Sequence, residues 1–101
     1  MSIAFRNLHD AWMKDRRYRS AYERGEPAFI MAMALTKARI AAGLTQEEVA
    51  RRMGTSQAAV ARLESGRHMP SLRVVDRYAA AVGRRLKIDL VAVTPKRRKA
   101  A

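Results

Sequence analysis

Apolar residues in the middle of the chain recur at helical spacing, and each run is bounded by residues that start or stop a helix. Pro27 suits the first turn of a helix, and the Ala-, Met- and Leu-rich stretch after it reaches a stop at Gly43. Thr45 with Glu48 three residues later is a capping-box pattern, which predicts the start of a short helix that Gly54 ends. Two successive helices are therefore expected in this first region.

Two further helices are predicted by the same signals. Ser56 is an N-cap candidate for a helix that stops before Gly66, and Ser71 is one for a helix that Gly83 closes. The pattern thus indicates a helical domain over residues 27–83. Its predicted inward-facing positions are Val49, Ala50, Met53, Val60, Leu63, Leu72, Val75, Tyr78, Ala79 and Val82.

The hydrophobic period changes after this domain. Leu86, Ile88 and Leu90 alternate with charged residues, which predicts a β-strand over residues 84–93. A strand needs a partner for its backbone donors and acceptors, so we expect it to pair with the same strand of a second subunit or to extend another protein's sheet. The three apolar residues are assigned to dimerisation, and residues 94–101 form a basic tail.

An arm rich in charge and aromatics, residues 1–26, precedes the domain. Because aromatic side chains are frequent anchors of protein interfaces, one interpretation is a segment that folds on a protein partner. The alternative is an arm that folds back over the domain as a lid. The candidate partner-binding residues are Phe5, Leu8, Trp12, Tyr18 and Tyr22.

The charge balance points to polyanionic partners. The 101 residues include 21 Lys and Arg against 9 Asp and Glu, which gives a net charge of +12 and a pI near 11.4. Cations that neutralise phosphates release counterions from nucleic acid, so DNA is a natural partner and an anionic membrane surface is the rival. The excess is spread along the chain, so no single block explains it.

Composition also excludes several classes of site. The chain has no cysteine, which excludes disulfides and cysteine-based metal sites, and His9 and His68 lie too far apart for a local metal motif. No catalytic spacing stands out, so we expect neither an enzyme nor a cofactor. There is no apolar run of the roughly 18 residues that a membrane span needs and no signal peptide. The expected location is therefore the cytoplasm, at the nucleoid when DNA is bound, with no membrane partner.

Residues 46–63 meet the physical requirements of a helix-turn-helix. Ala50 is small where two helices would cross closely, and Gly54 stands in a turn that favours positive φ. The apolar positions that would lock the second helix on the first are Val49, Val60 and Leu63. These small, turn and apolar requirements are met together at fixed spacing.

A wider pattern surrounds this motif. It comprises Leu35, Arg39, the run from Gly43 to Gln46, Gly54, the run from Leu63 to Gly66, and the run from Pro70 to Leu72. With it, residues 35–83 resemble the XRE group of helix-turn-helix domains, the family of phage Cro and repressor proteins. The resemblance implies a mostly all-α, lambda-repressor-like bundle of four to five helices, with one C-terminal β-strand paired across a dimer. Together with the arm and the strand, the chain looks most like HigA-type antitoxins.

The resemblance also implies roles for individual residues. Bases would be read from the exposed positions of the second, recognition helix, which are Ser56, Gln57, Ala58 and Arg62. Gln57 would pair with adenine or cap a backbone contact, Ala58 would meet a thymine methyl group and Arg62 would fork onto guanine. Contacts to the DNA backbone would come from Gln46 at a helix N-terminus, and from Thr55, Ser65 and Arg67. Arg39 and Glu64 would form an internal ion pair.

The implied function is a dimeric repressor that reads an inverted-repeat operator in double-stranded DNA. As an antitoxin it would also sequester a small HigB- or RelE-like toxin and repress its own operon. Two alternatives stay open. One is a stand-alone transcriptional regulator without a toxin partner, and the other is mainly a protein-binding module with weak DNA affinity.

Overall fold

The computed structural model describes residues 15–93, except for the side chains of residues 17 and 18. This part of the chain is helical and surrounds a single apolar core. The all-α class expected from the sequence is therefore confirmed for the described residues. The helices are α1 (Arg16–Arg24), α2 (Pro27–Ala41), α3 (Gln46–Met53), α4 (Gln57–Leu63) and α5 (Leu72–Ala81).

Side-chain caps fix where three of these helices begin. At the start of α3, Thr45 Oγ1 accepts from the backbone N–H of Glu48 at 3.1 Å, and Glu48 Oε1 accepts from the Thr45 N–H at 2.9 Å. Both halves of the predicted capping box are thus formed. Ser56 and Ser71 accept from backbone N–H groups in the first turns of α4 and α5, at 3.1 and 3.2 Å.

The core forms where α3, α4 and α5 meet the inner face of α2. One predicted inward position is wrong, because Leu72 is 55% exposed. It is the first residue of α5, and the helix contacts the core only further along, at Val74 and the buried Val75. The buried side chains of the core are Leu35, Val49, Ala50, Met53, Val60, Val75, Tyr78, Ala81 and Val82.

Two arginines join α3 to α5 through the ends of the helices. Arg52 Nη1 of α3 donates to the carbonyl oxygen of Ala81, the last residue of α5, at 2.9 Å. Arg77 of α5 donates to the carbonyl oxygen of Met53, the last residue of α3. Each guanidinium interacts with a carbonyl that has no partner in its own helix, at the negative end of that helix. This reciprocal pairing fixes α5 against the first helix of the motif.

Helix α1 continues the N-terminal arm and folds against α2. Gly25, with a φ of 64°, makes the sharp turn between the two helices. The ring of Tyr22 then packs edge-on against the ring of Phe29, with centroids 6.4 Å apart and planes at 87°. The described end of the arm therefore folds back on the domain.

Helix α2 is the longest of the described helices, and it buries Ala32, Leu35 and Thr36. Within residues 15–93, no single helix has the length and apolar character to cross a membrane. Helices α2 and α3 have the required length and apolar character only when taken together, and a bend of 99° separates them.

The C-terminal segment, residues 84–93, has neither helix nor strand in the single chain. Leu86 at its start is half-buried against the core, but Ile88 is 58% exposed and Leu90 is 95% exposed. The predicted strand is therefore not formed in this chain alone, because a strand needs the backbone of a second strand to satisfy its donors and acceptors. Residues 94–101, the predicted basic tail, lie outside the described residues.

Candidate nucleic-acid interface

Helices α3 and α4 are joined by a tight turn and pack closely together. Gly54 takes the left-handed conformation there, with a φ of 70°, which a side chain would disfavour. Ala50 is 4% exposed and Val60 is completely buried, so the inner sides of both helices lie in the core. This packing leaves the opposite side of α4 in solvent.

The exposed side of α4 carries the four residues predicted to read bases. Ser56, Gln57, Ala58 and Arg62 are all exposed. Arg62 forms no ion pair with the rest of the described chain, so its guanidinium is available to a ligand. No acidic residue lies in the first turn of α4, which leaves the positive end of this helix uncompensated by its own side chains.

Three hydroxyl residues flank α4, and two of them have structural partners. Ser56 Oγ caps the helix by accepting from the Ala59 N–H. Ser65 Oγ donates its proton to the Arg62 carbonyl oxygen at 2.7 Å and accepts from the Arg67 N–H at 3.3 Å. A phosphate contact by Ser65 would require this hydroxyl to turn, whereas Thr55 and Arg67 are exposed.

Gln46, predicted to contact a phosphate, bridges the two helices of the motif. Its Nε2 donates to Glu64 Oε1 at 3.1 Å, and its Oε1 accepts from Gln57 Nε2 at 3.1 Å. The N-terminus of α3 is also only partly free, because the capping box occupies the backbone N–H groups of Thr45 and Glu48. A phosphate at this helix end would have to use the remaining N–H groups of the first turn.

Arg39 of α2 and Glu64 at the end of α4 form a buried ion pair. Arg39 Nε donates to Glu64 Oε2 at 2.8 Å and Nη2 donates to Oε1 at 3.0 Å, which is the two-pronged geometry of a strong pair. The side chains are 15% and 5% exposed. The remaining guanidinium donor, Arg39 Nη1, reaches the Leu44 carbonyl oxygen at 2.9 Å. The pair therefore ties α2, the loop before α3 and the recognition helix together.

The environment of this pair shifts the pKa of each partner toward the charged form. Burial alone would raise the pKa of Glu64, but hydrogen bonds from Arg39, Tyr78 and Gln46 bring it below the ordinary value. Burial alone would lower the pKa of Arg39, and the contact with Glu64 raises it above the ordinary value instead. Both groups are thus charged around neutral pH.

Tyr78 is a site residue that the sequence pattern did not reveal. Its hydroxyl lies 2.6 Å from Glu64 Oε2 and 2.9 Å from the Leu35 carbonyl oxygen, and its ring is fully buried. Burial and the contact with Glu64 raise the pKa of Tyr78, so the phenol stays protonated and donates. The available signal was a tyrosine on an apolar helix face, because a buried phenol needs a polar partner.

Arg67 lies beside a cleft of about 540 Å³ between α1 and the loop after α4. Arg24 and Glu26, which form a 2.8 Å ion pair, also line this cleft. Gly66 also lines the cleft, and its φ of 73° would strain any side chain added there. The glycine is therefore required by the left-handed backbone conformation of the loop.

The predicted partner and dimer residues are placed less completely. Phe5, Leu8 and Trp12 lie outside the described residues, and the side chain of Tyr18 is not described. Tyr22 is 50% exposed although it packs on Phe29. Of the three residues predicted to form a dimer, Leu86 contacts the core of its own chain, whereas Ile88 and Leu90 are exposed.

Comparison with known proteins gives two findings. Residues 35–88, more than half of the chain, match the helix-turn-helix family. A 42-residue segment is 50% identical to a protein of Methanothermobacter thermautotrophicus described as an uncharacterized HTH-type transcriptional regulator. The segment covers 42% of this chain and 61% of that protein, so the match spans about three fifths of the relative's length. No solved structure matches the chain at a significant level.

Proposed function

Because this chain belongs to the XRE-type helix-turn-helix family, we propose that it binds double-stranded DNA sequence-specifically and represses transcription at the sites that it binds. One observation carries the proposal. The side chains at the predicted base-reading positions of α4 are exposed together, while the other side of the helix is held in the core through Val60. A rigid helix with a free polar face is what entry into the major groove requires.

Each exposed residue of α4 has a chemical complement on the bases. Arg62 presents a guanidinium that matches the O6 and N7 acceptors of guanine, and Gln57 presents an amide that matches adenine. Ala58 offers a methyl group for contact with thymine. Because alanines fill much of this helix, direct readout is confined to few base pairs and DNA shape supplies the rest.

Binding to selected DNA tests this assignment. A preferred duplex is first selected from a random-sequence pool with the wild-type protein. Arg62→Ala is then expected to cost about 1–3 kcal/mol of binding and to relax the preference at one base pair. Arg19→Ala removes the same charge from the exposed surface of α1 and is expected to leave every base preference intact. Equal affinity of the wild-type protein for all duplexes would overturn the proposed function.

Arg67 provides a second, different signature. As a phosphate contact it is expected to act on all sequences alike, so Arg67→Ala weakens binding uniformly and lowers the salt dependence by about one counterion. Titrations at several salt concentrations measure both effects. A change in base preference for this variant would assign Arg67 to readout instead.

The C-terminal segment supports a dimer. If two copies pair antiparallel about Ile88, Leu86 meets Leu90 of the partner subunit and Lys87 meets Asp89 of the partner subunit. The segment is therefore self-complementary in its apolar and in its charged positions. Lys87 Nζ and Asp89 Oδ2 already lie 3.9 Å apart within one chain, on the same side of the segment. Such a two-fold dimer would read inverted half-sites about 34–36 Å apart.

Cysteine cross-linking tests the dimer and its register, because the chain has no cysteine of its own. In the proposed register the two copies of Ile88 are directly opposite, so Ile88→Cys is expected to form a disulfide-linked dimer on oxidation. The two copies of Leu90 would be about 14 Å apart along the strands, four residues at ~3.4 Å per residue, which is too far for a disulfide. Leu90→Cys is the matched control. Equal cross-linking of both variants contradicts the register, and a monomer at micromolar concentration contradicts the dimer.

The finer proposal is that the repressor is also the antitoxin of a HigB- or RelE-like toxin. It rests on the aromatic residues of the arm and on the half-exposed ring of Tyr22. A stand-alone regulator would not need these aromatic residues to bind a protein partner. The antitoxin proposal therefore makes the arm dispensable for DNA binding and essential for toxin neutralisation.

Growth rescue separates the two. The chain is co-expressed with the product of a small neighbouring gene that arrests growth, and Trp12→Ala is expected to abolish rescue while operator binding is kept. Trp12→Phe, which preserves an aromatic anchor, serves as the control. Full rescue by Trp12→Ala, or the absence of any neighbouring gene whose product arrests growth, favours the stand-alone regulator.

A further inference from the structure

A continuous chain of hydrogen bonds runs from the buried ion pair to the recognition helix. Gln46 Nε2 donates to Glu64 Oε1, and Gln57 Nε2 donates to Gln46 Oε1, each at 3.1 Å. The side chain of Glu64 is 5% exposed, whereas Gln57 is exposed at the start of α4. These two hydrogen bonds therefore connect the buried charge of Glu64 to the exposed side chain of Gln57.

The negative charge of Glu64 decides which amide group donates in each of these two hydrogen bonds. An ionised carboxylate only accepts hydrogen bonds, so Gln46 must turn its amide nitrogen toward Glu64 and its oxygen away. Gln57 meets that oxygen and must in turn offer its own nitrogen. An isolated glutamine has two amide orientations of similar energy, but only one of them lets Gln57 donate to the Gln46 oxygen.

Other contacts hold Glu64 in place and keep it ionised. Arg39 donates to both carboxylate oxygens and Tyr78 donates to one of them, at 2.6 to 3.0 Å. Burial disfavours the charge, but these hydrogen bonds outweigh it and the pKa of Glu64 lies below its ordinary value. Gln46 therefore faces a carboxylate, and not a carboxylic acid, around neutral pH.

We propose that Glu64 is a positioning residue for base readout, which fixes, through Gln46, the amide orientation in which Gln57 meets DNA. This inference rests on the proposed function. With one N–H toward Gln46, Gln57 keeps its other N–H and its oxygen for a base, in a fixed order along the groove. Adenine offers an N7 acceptor and an N6 donor on its major-groove edge, which complement that pair in one order. The base recognised is thus the adenine of an A·T pair in one orientation.

The experiment measures base discrimination rather than affinity. The probes are duplexes selected from a random pool by the wild-type protein, with each of the four base pairs placed in turn at the position where Gln57→Ala loses its preference. For the wild type we expect a preference of about 5- to 150-fold for A·T in one orientation, the usual worth of a bidentate base contact. Glu64→Gln has a neutral amide that both donates and accepts, so we expect this ratio to fall at least about threefold.

Two further variants separate positioning from a general loss of stability. Tyr78→Phe removes one hydrogen bond to Glu64 and destabilises the fold, but it leaves the carboxylate facing Gln46. Its discrimination ratio is expected to equal that of the wild type. Gln46→Ala removes the link and leaves the Arg39 contacts to Glu64 in place, so Gln57 regains both amide orientations and the ratio is expected to fall as far as that of Glu64→Gln. This variant carries the test if Glu64→Gln does not fold.

The outcomes distinguish this inference from the proposed function. A wild-type protein without base preference at any position overturns the function itself. The positioning role alone is overturned if Gln57→Ala abolishes one preference while Gln46→Ala, or a folded Glu64→Gln, keeps the wild-type ratio. It is equally overturned if Gln57→Ala keeps every preference, or if Tyr78→Phe lowers the ratio as much as Glu64→Gln.

Discussion

The helix-turn-helix core and the C-terminal segment use the same residue types with opposite results. Leu35 in the core is 5% exposed, and Leu90 in the segment is 95% exposed. The core ion pair has a 2.8 Å contact and side chains 15% and 5% exposed, whereas Lys87 and Asp89 lie 3.9 Å apart and are 85% and 76% exposed. Similar chemistry is therefore buried in one region and left in water in the other.

The difference shows which parts of the chain are stabilised by the chain itself. The core has every buried side-chain polar atom of the described residues hydrogen-bonded, and its leucines and valines contact one another across four helices. The segment has alternating apolar residues but no second layer to cover them. Its pattern is satisfied only by another strand, and so it is the region whose properties should depend on protein concentration.

Among the substitutions that test this comparison, we expect the largest effect at the core ion pair. Arg39→Met leaves Glu64 buried without its cation, so we expect a loss of about 3–5 kcal/mol in the free energy of unfolding. Urea denaturation measures it. The control is Arg24→Met, which removes the 2.8 Å ion pair between Arg24 and Glu26. The side chains of this pair are 60% and 44% exposed. This substitution should cost no more than about 1 kcal/mol. Equal losses would show that burial does not distinguish the two pairs.

A leucine substitution in each region compares their apolar contacts directly. Leu35→Ala is expected to cost about 2–5 kcal/mol, since it removes buried methyl groups and leaves a cavity. Leu90→Ala should change the stability of the monomer by less than about 0.5 kcal/mol, because its side chain is in water. The same variant should weaken self-association, which sedimentation at several concentrations measures. A large loss of monomer stability for Leu90→Ala would place this residue in a core of its own chain.

A smaller effect is expected at the start of the motif. Thr45→Ala removes the cap of α3 and half of the reciprocal contact with Glu48, at a cost of about 0.5–2 kcal/mol. Thr45→Ser keeps the hydroxyl and should retain most of the stability. Thermal unfolding of the three proteins gives the order, and a wild-type melting temperature for Thr45→Ala would contradict the role of the cap.

The smallest and most gradual effect concerns pH. Glu64 has a folded-state pKa below its ordinary value of 4.5, so its contribution to stability is present above about pH 4.5. It is lost as the pH falls through the lower folded-state value, because the folded protein must then take up a proton at an unfavourable site. Melting temperatures measured from pH 7 to pH 3 should fall more steeply below pH 4.5 for the wild type than for Glu64→Gln. If the melting temperatures of the two proteins fall in parallel with pH, protonation of Glu64 does not cause the loss of stability.

Much of the motif could be predicted from local signals. The stops at Gly43 and Gly54 and the caps at Thr45 and Ser56 depend on backbone geometry within a few residues, and the observed helices begin and end within about two residues of them. Leu72 was misplaced because periodicity alone does not say where a helix first reaches the core. The strand over residues 84–93 was predicted from alternation, but alternation does not provide the partner that a strand needs.

The sequence by itself determined the helices, the helix-turn-helix and the positive charge, since these depend on residue type and short spacing. The tertiary structure decided what the polar side chains do. Arg39 and Glu64 are 25 residues apart, and the hydroxyl of Tyr78 reaches a carbonyl 43 residues away. Contacts of this kind exist only after α2, α4 and α5 have packed together. The orientation of Gln57 is the last link in that packing, which no local pattern could specify.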